Sequence, residues 1–336
     1  MNSTTESDSD YDYDYITPAL SMTPATCTDA TCVFLAITTV VILVLGVAGN
    51  GLVIWIAGFK MKKSVNTTWY LSLAMSDFLF CSFLPISVVY MVKKDWVFGL
   101  FMCKFTSFIL FLNMFSSVFL LVIISVDRCV VVMFPVWAQN KRTIRKASGV
   151  VVLAWIIAVV FSLPSAVFRD IDHDIYEKRN VCFNNYTSDQ HAAVVSCRFV
   201  FGFLMPFLII IFCYVIIIQK LKLNQSARSK KPFKIMTALI AAFLVCWLPF
   251  QTVALMELNH HKYAGILHTA QVVGATFASA NSCLNPFLYA FMGKDFKRKC
   301  HALLSKIENA IEEEGRSTVR GTSITTSGEG KLSTVV

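Results

Sequence analysis

"CKFTSFILFLNMFSSVFLLVIISVDRC", residues 103–129, is apolar over most of its length and ends on an acid–base pair, Asp127 and Arg128. Arg128 follows Cys103 by 25 residues, which is about 37 Å of helix at 1.5 Å per residue. That exceeds the roughly 30 Å hydrocarbon core of a bilayer, so the two ends lie on opposite sides of a membrane. Similar runs occur near 33–59, 68–92, 148–168, 194–219, 235–258 and 264–291, making seven with the one near 101–133. The composition agrees: 15% of the 336 residues are charged and 56% are hydrophobic, too little charge to cover a soluble protein of this size.

Charge then sets the orientation. From Met1 to Phe59 there are six acids (Glu6, Asp8, Asp10, Asp12, Asp14 and Asp29) and no Lys or Arg. Basic clusters at 60–63, 140–146, 220–234 and 293–299 flank apolar runs, as cytoplasmic loops do, which reads against nucleic-acid binding. The amino terminus is expected outside and the carboxy terminus inside. The start has no basic n-region, so the first apolar helix is expected to act as an uncleaved signal anchor. The expected organisation is an acidic disordered segment (1–32), a seven-helix all-α membrane bundle (33–292), an amphipathic eighth helix on the inner leaflet (293–307) and a disordered tail (308–336). The eighth helix would carry Cys300 as a palmitoylation site.

Polar residues inside a bilayer need a partner or a task. Asp77 sits about 15 Å inside the second span by helix rise. Asn113 and Ser117 share one face of the third span, Asn281, Ser282 and Asn285 crowd the seventh, and Asn50 interrupts the first. A carboxylate among neutral oxygens suits Na⁺, and Asp77, Asn113, Ser117, Asn281 and Asn285 are its candidate ligands. A packing network around a protonated Asp77 is the alternative. Asp127 beside Arg128 suggests a charge pair that is held or released. Cys103 and Cys182, of the external loop near 170–193, are expected to form a disulfide. Prolines 85, 164, 206, 249 and 286 each forfeit a backbone hydrogen bond inside a span. No catalytic or metal motif is visible, and no paired repeats of the transporter kind.

Asn50, "LSLAMSD" (71–77), Cys103, "DRC" (127–129), Trp155, Pro206 with Tyr214, "CWLP" (246–249) and "NPFLY" (285–289) fall in order, a set for each span. This resembles a rhodopsin-like (class A) G-protein-coupled receptor over residues 30–307. "WVFG" (96–99), "FPVWAQN" (134–140), "FRD" (168–170) and "CFNNYT" (182–187) resemble the chemoattractant branch, nearest the chemerin receptors, with formyl-peptide and anaphylatoxin receptors as neighbours. The resemblance implies a chemerin-like peptide ligand, exchange on an inhibitory-class heterotrimeric G protein, and a receptor rather than an enzyme. It also implies an activation switch in which Trp247 is the upper lever and Pro249 the hinge. Asp127 would release Arg128, and Tyr214, Asn285, Pro286 and Tyr289 would repack as the cation leaves Asp77. Cys129 stands where most of the family has tyrosine, a variant shared by these relatives. Cys27 and Cys32 lack the usual partner in the loop between spans six and seven, and either pair with each other or stay free.

The outer half of the third span has no carboxylate for an amine ligand, and the seventh has no lysine for a retinal Schiff base. Cations are present instead. Arg169 and Arg198 could hold a carboxylate bidentately, with Glu257 taking a donor from the same ligand. A carboxylate lipid would satisfy the same cations, and an Arg198–Glu257 pair is the plain alternative. "DSDYDYDYI" (8–16) gives Tyr11, Tyr13 and Tyr15 the acidic flanks that sulfation prefers, and an anionic arm would steer a basic ligand. Asn2 and Asn185 begin external glycosylation sequons. Serines and threonines at 317–327 offer sites for a receptor kinase, whose phosphates would recruit arrestin.

Overall fold

The computed structural model describes residues 27, 29–175, 178–223 and 230–290, with 298, 302 and 305 beyond them. Side chains at scattered positions of 221–239 and 260–268, and all of those at 287–290, are outside that description. The amphipathic helix expected at 293–307 falls almost wholly outside it. Asn2, Tyr11, Tyr13, Tyr15, Cys300 and the tail serines lie outside as well.

The spans are helices in sequence order. The first is α1 (Ala30–Trp55) with a π-turn (Ile56–Lys60), the second α2 (Val65–Lys93) and the third α3 (Gly99–Met133). A short helix, α4 (Pro135–Lys141), leads to the fourth span, α5 (Ile144–Val167). The fifth comprises α6 (Ser188–Phe199), a π-turn (Val200–Leu204) and α7 (Met205–Leu223). The sixth is α8 (Lys230–Glu257) and the seventh α9 (His260–Ala290). Between spans four and five, in the loop expected near 170–193, an antiparallel hairpin forms: β1 (Arg169–Asp174) pairs with β2 (Arg179–Asn184).

Most spans run past the apolar stretches because polar residues cap them outside the hydrocarbon. Ser64 and Thr67 make a reciprocal capping box at the start of α2, and Thr187 with Gln190 does so for α6. Thr143 accepts from the Lys146 amide at the start of α5. Lys94, in the left-handed region at φ 52°, ends α2.

Six helices among the described residues are long and apolar enough to cross a membrane. The seventh span is not among them because Gln271, Asn281, Ser282 and Asn285 lower its hydropathy. Asn281, Ser282 and Asn285 are buried within the bundle, while Gln271 is exposed beside Glu257. The third span is 72% buried over its most apolar window and the fourth 22%, so α3 is the axis and α5 the rim. Val152, Ile156 and Val160 of α5 are exposed, as lipid-facing residues should be. Close approach depends on glycine at several points, two of which show the range. A Cβ on Gly46 would stand 2.3 Å from Cys81 Sγ, and one on Gly274 3.1 Å from the Phe250 backbone. The second contact seats α9 against α8 one residue past Pro249.

Candidate ligand and switch sites

Three polar clusters lie on the bundle axis. The outer one is organised by the Cys103–Cys182 disulfide, which fastens β2 to the start of α3. Ile171 pairs with Cys182 across the hairpin, and Trp96 N donates to Asn180 O at 2.9 Å. Arg169 is thereby held at the top of α3: Nε donates to Ser107 Oγ at 3.3 Å and Nη1 to Cys182 O at 3.4 Å. Burial lowers its pKa, opposed by nearby Tyr186, Tyr90 and Glu257. A guanidinium does not deprotonate in proteins, so Arg169 keeps a costly charge with neutral oxygens as its hydrogen-bond partners.

Arg198, on the last turn of α6, lies over the Phe111 ring at 3.7 Å, a cation–π seat. The Arg198–Glu257 pair weighed from sequence does not form. Glu257 instead accepts from Gln271 Nε2, and His191 Nε2 lies 3.5 Å from its other oxygen. Tyr186 stacks on His191 with rings 5.4 Å apart and lies within hydrogen-bonding reach of Arg198. A cavity of about 300 Å³ between spans four and five reaches Arg198, past Phe115, Phe161 and Pro164. The larger groove, about 890 Å³ along Phe78, Trp155 and Val159, is apolar and away from these cations. Tyr186, His191 and Gln271 were not singled out from sequence, where nothing distinguishes them from loop and helix-end residues. Asn185 is exposed, as a glycosylation site must be.

At the centre, Asp77 is fully buried. Asn113 Nδ2 donates to its Oδ1 at 2.9 Å and Asn285 Nδ2 to its Oδ2 at 2.7 Å. Ser282 Oγ donates to Asn113 Oδ1 at 3.1 Å, and Asn50 Nδ2 to Ser282 O at 2.8 Å. Spans one, two, three and seven thus meet on one acid. Asn281 is buried but makes no hydrogen bond to Asp77 among the described residues. Ser117 Oγ and Asn50 Oδ1 are buried without hydrogen-bond partners; buried oxygens of this kind together with a carboxylate are the donor types a small hard cation takes. Trp247 of α8 is fully buried between Phe243 and Phe250, with ring centroids 6.2 and 5.8 Å away. Pro249 lies within α8, Pro286 within α9, and the Tyr214 hydroxyl is 3.1 Å from Thr237 Oγ1 of α8. Tyr289 is helical, its side chain outside the described residues.

At the end of α3 opposite the disulfide, the expectation for Asp127 is corrected. Its partner is not Arg128 but Arg142, whose Nε donates to Oδ1 at 2.6 Å and Nη2 to Oδ2 at 2.8 Å. Arg128 Nη2 donates to Asn66 Oδ1 at 2.6 Å. Arg142 wins because α4 turns the chain back under α3, presenting its guanidinium face-on, whereas adjacent residues on a helix point apart. Nothing in the sequence marks Arg142 among the basic residues of 140–146. At the outer end, Cys27 and Cys32 pair with each other, and the Cys27 amide donates to Val92 O at 3.3 Å.

Residues 49–289 match the family described as 7 transmembrane receptor (rhodopsin family). Chemerin-like receptor 1 of Sus scrofa is 46% identical over 303 residues, covering 84% of this chain and 83% of the relative. Chemerin-like receptor 1 of Homo sapiens is 45% identical, over 84% and 81%. Formyl peptide receptor 2 of Mus musculus is 39% identical, over 84% and 86%. The chain therefore belongs to the rhodopsin family of seven-transmembrane, G-protein-coupled receptors: a multi-pass membrane protein of the chemoattractant type and not an enzyme.

Proposed function

We propose that the chain is a receptor for a chemerin-like peptide ending in a free carboxylate, and that it drives exchange on an inhibitory-class G protein. The observation that carries this reading is the outer pair of arginines. Arg169 is hydrogen-bonded to neutral oxygens and Arg198 lies over an aromatic ring, while Glu257 is engaged by Gln271 and His191. Two desolvated guanidiniums with neutral neighbours await an anion, and a carboxylate matches their fork geometry. Glu257 then receives a donor from the same peptide. The relatives' names support the peptide class.

Other parts of the chain complete the reading. The amino terminus is outside, and sulfated Tyr11, Tyr13 and Tyr15 steer a basic ligand. Glycans on Asn2 and Asn185 face outward, and palmitate on Cys300 holds segment 293–307 to the inner leaflet. Tail phosphates placed by a receptor kinase recruit arrestin. Na⁺ enters between Asp77 and Ser117, displacing an amide from the carboxylate, and favours the resting state; agonist binding expels it through Trp247, Pro249 and Asn285.

The test titrates an acid-ended chemerin peptide against its C-terminal amide on wild type, Arg198→Ala and Arg169→Ala, recording inhibition of cyclic AMP. The acid form is expected to lose about tenfold or more in potency on either variant, the scale of one charge-assisted hydrogen bond. The amide is expected to change little. Equal losses for both peptides would mean that the arginines shape the pocket without reading the carboxylate.

A further inference from the structure

Resting on that coupling, we infer that Arg142 is a positioning residue for Arg128: by occupying Asp127 it keeps Arg128 on a neutral acceptor and available to the G protein. Arg142 grips both Asp127 oxygens with adjacent guanidinium nitrogens, the strongest geometry open to an arginine and a carboxylate. Its Nη2 also reaches Asn66 Oδ1, the same atom that Arg128 Nη2 uses. Two guanidiniums thus converge on one amide oxygen and repel one another across it. Arg128 is otherwise within hydrogen-bonding reach of the Tyr70 hydroxyl, and no ion pair joins it to Asp127 among the described residues. Both of these hydrogen-bond partners are neutral.

The consequence follows from the difference between partners. A guanidinium bound to a carboxylate must give up a charge-assisted contact before it swings toward a docking protein; one bound to an amide gives up a weaker one. Arg142 removes the stronger competitor. Side-chain exposures of 24% for Arg142 and 11% for Asp127 place the pair at the rim, where the freed acid could reach Arg128 after Arg142 is lost. Arg142 is also the residue that closes α4, its amide donating to Ala138 O at 3.2 Å. The bridge therefore ties the second cytoplasmic loop to the end of the third span.

The experiment reconstitutes wild type, Arg142→Ala, Asp127→Asn and the double variant in phosphatidylcholine–phosphatidylserine nanodiscs with an inhibitory-class trimer. Nucleotide release is timed with the acid-ended chemerin peptide present, and peptide binding is measured in parallel to show that each variant is folded. Arg142→Ala is expected to slow release about tenfold with peptide binding retained. The double variant is expected to return to within about twofold of Asp127→Asn, because an uncharged residue cannot capture Arg128. Unchanged or faster release from Arg142→Ala would overturn the inference. So would a double variant as slow as Arg142→Ala, which would mean that Arg142 touches the G protein itself. If wild type never speeds release, the coupling reading fails first and the inference falls with it.

Discussion

Two aspartates of this chain solve opposite problems. Asp77, fully buried at the centre, is held by the neutral amides of Asn113 and Asn285. Asp127, at the rim of the bundle, is held by the guanidinium of Arg142. Placing a guanidinium beside Asp77 would take two ions out of water, a cost that their attraction often fails to recover. At the rim water still reaches the pair, so a full charge partner costs less desolvation there. The centre is therefore suited to small rearrangements with a small cation, and the rim to wholesale exchange of arginine partners. One receptor needs both kinds of event, since a ligand at the outer end must be registered about 30 Å away.

The contrast can be broken most forcefully at Asp77. Asp77→Ala strands the Asn285 amide and one N–H of Asn113, whose amide nitrogen also donates to Ser76 Oγ, in a dry site, costing about 3 kcal/mol, read as a fall of several degrees in thermal midpoint in nanodiscs. Asp77→Asn keeps one acceptor and should lose roughly half as much. A melt unchanged in both would show that the amides have other partners. A second test replaces Na⁺ with N-methylglucamine, which is too large for the site. Peptide affinity should rise about tenfold in wild type, or about 1.4 kcal/mol, and stay level in Ser117→Ala or Asp77→Asn. Equal gains in all three would remove the cation from the centre. The smallest effect belongs to the rim: Asp127→Asn should cost under about 1 kcal/mol of stability, whatever it does to signalling. A loss as large as that of Asp77→Ala would erase the distinction between the two sites.

The architecture was legible because membrane spans follow from length and apolarity, and the order of polar markers along them is specific. The central cluster was legible for the same reason: Asp77, Asn113 and Asn285 are conspicuous where polar groups are costly. Apart from the Cys103–Cys182 bond, the rim and outer contacts were not. Polar residues are cheap there, so Arg142 looks no different from Arg145, and His191 no different from any helix-end histidine. The Asp127–Arg128 expectation failed because adjacency in sequence is not adjacency of side chains on a helix. The hairpin 169–184 was hidden by its charge, which leaves no apolar alternation to mark its strands. Cys27 with Cys32 needed coordinates to settle, since spacing permits both the paired and the free state.

Nucleotide release from a purified inhibitory-class trimer, timed against wild-type receptor in lipid nanodiscs, addresses the whole chain of events at once. The acid-ended chemerin peptide should accelerate it at least tenfold over the empty receptor, and the C-terminal amide should do so only at much higher concentration. Acceleration by neither peptide, from receptor shown to be folded, would contradict the account.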